Sequence, residues 1–161
     1  MYLNVKRSIF IQKILSFCHQ IIHHEANNII PSLSTPIFHY KSLIIIYFTL
    51  DRQRRFYNLI SHYYKGSLGL IFVIDSSNED SVDRSVIEIY KFLKEEDALR
   101  DSIFLILANK QDLPNAMKPE EISKRFELEK ITDRELKVFG TSDITGEGLF
   151  EALDWLEESI T

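Results

Sequence analysis

A short polar loop after a predicted strand carries the residue types best suited to ligand recognition. Asn109-Lys110-Gln111-Asp112 follows an apolar run at residues 103–108. The carboxylate of Asp112 can accept two hydrogen bonds at once, and guanine offers two adjacent donors, its ring N–H and its exocyclic amine. Asn109 would tie the loop together and approach the base edge, while Lys110 would lay its aliphatic stem along the purine face. A capped turn at a strand end is the alternative interpretation.

Strands and helices that alternate in the second half of the chain would position this loop. Residues 69–74 form a continuous apolar run that ends in an acid, Asp75, and residues 103–108 form a second apolar run. Such runs are typical of parallel strands that are buried on both faces. Apolar residues at spacings of three and four predict a helix between them, through about Lys94. The remaining predictions are strands at residues 43–48 and 137–140, a helix that begins at Pro119 and a helix over residues 146–160. This order predicts an α/β fold with a mostly parallel sheet and helices on both faces, whose ligands bind at the carboxyl ends of the strands.

The first half of the chain has a less regular pattern. Residues 10–22 place apolar side chains on two adjacent helical stripes, which predicts a widely apolar helix in the core. Cys18, His19 and His23 fall on neighbouring positions of that helix, but three loosely arranged ligands without a fourth do not predict a metal site. The alternative for the basic, apolar residues 1–22 is contact with an acidic membrane surface.

Composition favours one soluble globular domain of 161 residues. Apolar residues make up 45% and charged residues 27%, and no apolar run approaches the roughly 20 residues of a membrane-spanning helix. Residues 1–65 hold eight Lys/Arg and two acids, a net charge of +6, whereas residues 66–161 hold 11 Lys/Arg and 22 acids, a net charge of −11. Such asymmetry can mark a basic arm for nucleic acid or acidic lipid. The favoured explanation is that two segments of one domain differ in charge, and no nucleic-acid partner is predicted.

Residues 62–156 contain four segments whose residues and order resemble a known family. The segments are HYYKGSLGLIFVID at residues 62–75, LRD at 99–101, ANKQDLPNAM at 108–117 and TGEGLFEALDWL at 145–156. Together they resemble the ADP-ribosylation-factor (Arf) and Arf-like branch of the small GTPases. The resemblance is strong over residues 62–160, weak over residues 28–61 and absent over residues 1–27.

The resemblance implies a fold and a cellular role. It implies a Ras-like fold of the P-loop NTPase type with an atypical N-terminal part, in a single Arf-like domain over residues 1–161. It also implies a guanine-nucleotide switch in vesicle-mediated intracellular protein transport, with GTP or GDP as ligand. Effector and regulator proteins of Arf type are the partners that such a switch would bind.

The resemblance also assigns the base-binding residues. It implies that the Asn109-Lys110-Gln111-Asp112 loop binds guanine. A further element of the family backs the base with a backbone N–H near the guanine oxygen, and Ser142 falls in that element as an additional contact. Asp143 replaces a small residue of the family pattern there, which sets this chain apart.

The phosphate-binding loop of the family is missing from this sequence. The family motif is Gly-x-x-x-x-Gly-Lys-[Ser/Thr], whose backbone N–H groups cradle the phosphates. The chain has five glycines and none falls in the first 65 residues, so residues 3–14, where the loop is expected, cannot supply it. Lys13 is the basic residue nearest to the position of the motif lysine, but no glycine lets the backbone close around a phosphate there. We therefore expect residues 1–27 to be a divergent segment without phosphate-binding or metal-binding residues, and the first strand to be missing unless residues 3–12 take its place.

The Asp-x-Gly-Gly-Gln element of the family is altered as well. Thr49 stands where an acid supports Mg²⁺, and Asp51 and Arg52 replace the two glycines. Gln53 matches the residue that orients the attacking water, and it is the single candidate catalytic residue. A Mg²⁺ site of the family type is therefore not expected.

Three functional interpretations stay open. The first is an Arf-family GTP-binding protein that retains base recognition but binds weakly, near millimolar or about −4 kcal/mol, without efficient hydrolysis. The second is a non-catalytic interaction scaffold. The third is a fragmentary gene model of a normal Arf-like GTPase, in which unrelated sequence replaces the phosphate loop.

Localisation follows from two further observations. A single cysteine excludes an internal disulfide and favours a reducing compartment. Myristoylated relatives need glycine at position 2, where this chain has Tyr2, so no lipid anchor is readable. We expect a cytoplasmic protein, with peripheral attachment to Golgi or other endomembranes as the alternative.

Overall fold

The computed structural model describes residues 8–12, 37–48, 67–95 and 101–160. These ranges contain six strands, three α-helices and one 3₁₀ turn. The strands are β1 (Ser8–Gln12), β2 (Ile37–Tyr40), β3 (Leu43–Phe48), β4 (Gly69–Asp75), β5 (Ile103–Asn109) and β6 (Leu136–Gly140). The helices are α1 (Glu79–Glu95), α2 (Pro119–Arg125) and α3 (Leu149–Ile160), and the 3₁₀ turn is Leu128–Lys130.

The strands form one sheet in the order β2-β3-β1-β4-β5-β6. All neighbouring strands are parallel except β2 and β3, which form an antiparallel pair. Five strands therefore end at the same side of the sheet, which is called the carboxyl edge below. The order reverses at β1, because β2 and β3 lie on one side of it and β4 to β6 on the other. Loops at such a reversal are the usual binding position in open α/β sheets, and the mostly parallel Ras-like sheet predicted from the sequence is confirmed.

Strand β1 corrects the helix predicted over residues 10–22. Residues 10–12 belong to a strand, and the rest of that predicted helix lies outside the described residues. Phe10 pairs with Ile46 of β3 and with Leu70 of β4, so β1 has ladder partners on both sides. A short apolar run fits a buried strand as well as a buried helix, and here the central place in the sheet decides. The alternative that residues 3–12 take the place of the first strand is confirmed for residues 8–12.

The core lies on both faces of β4 and β5. Successive residues of a strand point to opposite faces, so a strand covered on both sides is apolar throughout. One cluster packs against α1 and α2, and a second packs against α3. The first contains Leu70, Phe72, Ile74, Val82, Ile89, Phe104, Ile106, Ala108, Ile122 and Phe126. The second contains Ile71, Val73, Ile103, Leu105, Leu107, Leu149, Ala152, Leu153 and Leu156. Among the described helices, none has the length and apolar character needed to cross a bilayer.

Apart from β1, the predicted elements have boundaries close to those in the structure, with a further difference at α3. The helix begins at Leu149 and not at residue 146. Gly146 and Gly148 have φ angles of +76° and +74°, which an α-helix does not contain. These glycines therefore form a turn that brings the chain from β6 back onto the sheet.

Gly148 is also the point where two backbone segments approach closely. A Cβ built on Gly148 would lie 2.0 Å from the carbonyl oxygen of Gly140, at the end of β6. A Cβ on Gly146 would meet nothing within 4 Å. Gly148 therefore satisfies both a positive φ and a steric constraint, whereas Gly146 satisfies the positive φ alone.

We expect Gly148→Ala to destabilise the protein far more than Gly146→Ala. Both substitutions place a Cβ at positive φ, which costs about 1–2 kcal/mol, but only Gly148→Ala also displaces the end of β6. Urea unfolding of both variants and the wild-type chain measures the difference. Equal losses of unfolding free energy would contradict the steric interpretation.

Phe126 provides a test of the cluster beneath α2. Its side chain is fully buried, and its carbonyl oxygen accepts a hydrogen bond from the Tyr90 hydroxyl. We expect Phe126→Ala to lower the free energy of unfolding by about 3–5 kcal/mol, because it removes apolar contacts and leaves a cavity. Phe150, which is 61% exposed, is the matched control, and Phe150→Ala should cost less than about 1 kcal/mol in the same urea titration.

Candidate functional site

Three loops meet at the carboxyl edge of the sheet. They follow β4, β5 and β6, and backbone hydrogen bonds tie each loop to its neighbour. The N–H of Ser76 donates to the carbonyl of Asn109 at 3.1 Å, and the N–H of Gln111 donates to the carbonyl of Thr141 at 3.0 Å. The N–H of Thr141 donates in turn to the carbonyl of Ala108 at 2.9 Å. The loop that the sequence singles out therefore lies between two others and is held on both sides.

Asn109 is the buried residue that joins the β5 loop to the β6 loop. Asn109 is only 4% exposed. Its Oδ1 accepts hydrogen bonds from the N–H of Asp143 at 3.1 Å and from Oγ1 of Thr141 at 3.4 Å. A backbone N–H can only donate, so the atom facing Asp143 must be the amide oxygen, which fixes the orientation of the amide. Within the described residues, Nδ2 of Asn109 has no hydrogen-bond acceptor. A buried donor without a partner calls for a ligand or water.

Asp112 is exposed, yet its carboxylate is held in one orientation. Its Oδ1 accepts a hydrogen bond of 2.7 Å from Oγ of Ser142, a residue only 1% exposed. The Ser142 hydroxyl accepts a hydrogen bond from the N–H of Thr145 at 3.2 Å, so its own hydrogen is directed to Asp112. Among the described residues, Asp112 has no other side-chain partner. The second carboxylate oxygen and the remaining lone pair of Oδ1 are therefore available to a ligand.

Lys110 has a left-handed backbone and a restrained ammonium group. Its φ is +71°, and its Nζ lies 2.6 Å from Oδ2 of Asp75, the last residue of β4. Oδ1 of Asp75 accepts hydrogen bonds from the N–H and the hydroxyl of Ser77, at 3.0 and 2.6 Å. Burial raises the pKa of Asp75, but the hydrogen bonds from Lys110 and Ser77 outweigh it and hold the pKa below its ordinary value. Asp75 is therefore ionised at neutral pH.

Gln111 uses its side chain to brace the loop. Its Nε2 donates to Oγ of Ser76 at 3.0 Å and to the carbonyl of Met117 at 2.9 Å. Its Oε1 accepts a hydrogen bond from Nζ of Lys118 at 3.4 Å. Both amide hydrogens are thus engaged within the protein. The structure brings Gln111 into the same loop as the other predicted residues, but as a brace and not as an open contact.

The sequence pattern predicted no role for Asp75, Ser76 or Ser77, which belong to this network. Asp75 is the acid that ends the apolar strand β4, and Ser76 and Ser77 are the polar residues that follow it. The hydroxyl of Ser76 donates to the carbonyl of Asn109, which closes the connection between the β4 and β5 loops. The other predicted positions lie outside the described residues: Lys13, Cys18, His19, His23, Thr49, Asp51, Arg52 and Gln53.

A comparison with protein-family models shows which family the chain resembles. The model of the ADP-ribosylation factor family matches residues 16–160. The matched range includes all three loops of the carboxyl edge and most of the chain. It also begins within the segment where the motifs show no similarity, so the relationship reaches further towards the N-terminus than the motifs indicate. The chain belongs to the ADP-ribosylation factor (Arf) family of small GTP-binding proteins.

Proposed function

We propose that this chain recognises the guanine base of a nucleotide through Asp112 and Asn109. The observation that carries the proposal is the pair of hydrogen-bonding groups left available at one edge of the sheet. The Asp112 carboxylate is oriented by Ser142 and keeps acceptor capacity, while the oriented amide of Asn109 keeps a donor. Guanine matches this set, because it presents two adjacent donors to the carboxylate and acceptors elsewhere on its edge.

The network gives different roles to the other residues of the predicted site. Lys110 supplies an aliphatic stem for the purine face. Gln111 and Ser142 act as positioning residues, since their side chains are hydrogen-bonded to the protein and hold the loops in place. The N–H of Asp143 donates to Asn109, so the element that backs the base is coupled to the loop that reads it.

Phosphate recognition is not part of this proposal. No glycine lies in the first 65 residues, so the chain has no backbone loop of the family type to surround a phosphate. Phosphate and Mg²⁺ contacts are charge-assisted and roughly twice as strong as neutral hydrogen bonds. Without them the affinity should remain near millimolar, about −4 kcal/mol. Hydrolysis would lack the positioning and charge stabilisation that catalyse phosphoryl transfer, and Gln53 alone cannot replace them.

A non-catalytic interaction scaffold is the second candidate function. The observation in its favour is that the three loops are held by the protein's own hydrogen bonds, from Gln111, Asn109 and Ser142. An edge braced in this way can present a fixed surface whether or not a nucleotide binds. Under this alternative, guanosine would not bind and the hydrogen bonds of the loops would serve to hold that surface in place.

The cellular setting is proposed from family membership. We infer that residues 1–161 form one domain and that its partners are regulator and effector proteins of Arf type. A role in vesicle-mediated transport, in the cytoplasm or peripherally on endomembranes, is consistent with that membership. The base site is the part of this proposal that binding measurements test directly.

We expect the full chain to bind guanosine more tightly than inosine, and Asp112→Asn to remove the preference. Inosine lacks the exocyclic amine, so it forfeits one hydrogen bond to the Asp112 carboxylate. A hydrogen bond to a charged group contributes about 1.5–3 kcal/mol, equivalent to at least about tenfold in affinity. Chemical-shift titration of the ¹⁵N-labelled protein with each nucleoside measures both dissociation constants.

The matched control is Asp101→Asn, the same chemical change at an exposed residue before β5, at the opposite edge of the sheet. It should leave both dissociation constants unchanged. Base recognition by Asp112 is wrong if Asp112→Asn retains the wild-type preference for guanosine. Absence of guanosine binding by the wild-type chain would favour the scaffold.

We expect GTP, GDP and guanosine to bind with dissociation constants within about threefold of one another, with or without Mg²⁺. The reason is that no backbone cradle for the phosphates exists in the sequence, so the phosphates add little affinity. Titration with a fluorescent GTP analogue, with Mg²⁺ and then with excess chelator, checks this. Submicromolar, Mg²⁺-dependent binding would overturn the loss of the phosphate site.

A further inference from the structure

Lys110 adopts a backbone conformation that a glycine would adopt at lower cost. Its φ of +71° lies in the left-handed region, which costs a residue with a Cβ about 1–2 kcal/mol. Among the described residues, the other non-glycine residues with positive φ are Lys41 and Glu127, and neither lies in a loop of the carboxyl edge. Strain of this kind persists where the surroundings impose it, and it often marks a functional position. A role for the Lys110 side chain would explain why this position is not occupied by glycine.

The side chain crosses from one strand end to the next. Asn109 and Asp75 are register partners on β5 and β4. Lys110 follows Asn109 directly, and its Nζ lies 2.6 Å from Oδ2 of Asp75. Parallel strands are about 4.8 Å apart, so the methylene groups must span the gap between the two strand ends. They form a short apolar bridge along the carboxyl edge.

Asp75 is itself held in place. Both the N–H and the hydroxyl of Ser77 donate to Oδ1, which leaves Oδ2 for Lys110. The side chains of Lys110 and Asp75 are 39% and 33% exposed, so the pair is less screened than an ion pair on the open surface. The lowered pKa of Asp75 agrees with a carboxylate that stays charged at neutral pH.

We propose that Asp75 is a positioning residue for base binding, because it holds the stem of Lys110 as a preformed apolar shelf for the purine face. The inference rests on the proposed function. A free lysine side chain carries about 2 kcal/mol of rotamer entropy, and part of this would be lost on each binding event. Fixing the stem beforehand removes that cost from binding, which is the general effect of preorganisation. The shelf contacts the face of the base and does not sense the exocyclic amine.

The test compares Asp75→Asn with Asp112→Asn in guanosine and inosine titrations of the full chain. Asp75→Asn preserves an acceptor for Ser77 at Oδ1 but removes the charge that holds Lys110. We expect Asp75→Asn to weaken the binding of both nucleosides by the same factor, about threefold to tenfold. The ratio of the two dissociation constants should stay unchanged. Asp112→Asn should instead abolish the ratio. Asp101→Asn again serves as the matched control and should change neither.

A double-mutant cycle separates positioning from a general loss of stability. Lys110→Met retains the stem without the ammonium group. If Asp75 acts through Lys110, adding Asp75→Asn to Lys110→Met should weaken guanosine binding by less than about twofold more. Asp75→Glu, which restores a carboxylate, should recover part of the affinity that Asp75→Asn loses. Thermal unfolding of each variant confirms that the protein titrated is folded.

The outcomes distinguish the inference from the function on which it rests. If wild type fails to bind guanosine, or Asp112→Asn keeps the preference for guanosine, the proposed function fails and the inference fails with it. If Asp112 behaves as expected but Asp75→Asn binds like wild type, the inference alone is overturned. A changed guanosine-to-inosine ratio in Asp75→Asn, or independent effects of Asp75→Asn and Lys110→Met, would also overturn it.

Discussion

The parallel register between β4 and β5 is the constraint on which the proposed base site depends. It pairs Asp75 with Asn109, so both strands end at the same level of the sheet. The residue after Asn109 can then reach Asp75, and Ser76 can hydrogen-bond to the carbonyl of Asn109. A register shifted by one residue would turn these side chains to opposite faces and separate the groups. The ladder between two apolar strands thus decides where the polar groups of the loops meet.

Hydrogen bonds between the loops at this edge then orient the donors and acceptors of Asn109 and Asp112. Asn109 connects the β5 loop to the β6 loop, and Ser142 fixes the carboxylate of Asp112 from the β6 side. The positive φ angles of Gly146 and Gly148 return the chain to the sheet just after Ser142. Because Ser142 and Asn109 are buried, their hydrogen bonds are protected from competition with water. The exposed carboxylate of Asp112, the main contact of the proposed base site, is therefore held in place by the buried Ser142, next to the buried Asn109.

Much of the fold could be predicted from the sequence, because its signals are local and strong. Continuous apolar runs marked β3, β4 and β5, and helical spacing marked α1 and α3. The helix predicted over residues 10–22 was wrong for residues 10–12, because periodicity in a short apolar segment does not distinguish a buried strand from a buried helix. The choice between strand and helix depends on pairing with β3 and β4, which are distant in sequence and close in space.

The candidate site also contains residues that could be predicted from the sequence and residues that could not. Asn109, Lys110 and Asp112 were predictable from residue type and from their place after a strand. Asp75, Ser77 and the bracing role of Gln111 were not, because their partners lie on other loops. Their distances depend on strand register and not on sequence spacing.

The sequence alone determined that the chain is an α/β protein with an Arf-like Asn-Lys-Gln-Asp loop and no glycine in its first 65 residues. Residue type and local spacing carry that information, since they set hydrogen-bonding capacity and backbone freedom. The tertiary structure decided that Ser8–Gln12 fills the centre of the sheet and that Asp75 holds Lys110. It also decided that Ser142 orients Asp112. These facts arise from strands meeting across long separations in sequence, and only the packed sheet brings those partners within hydrogen-bonding distance.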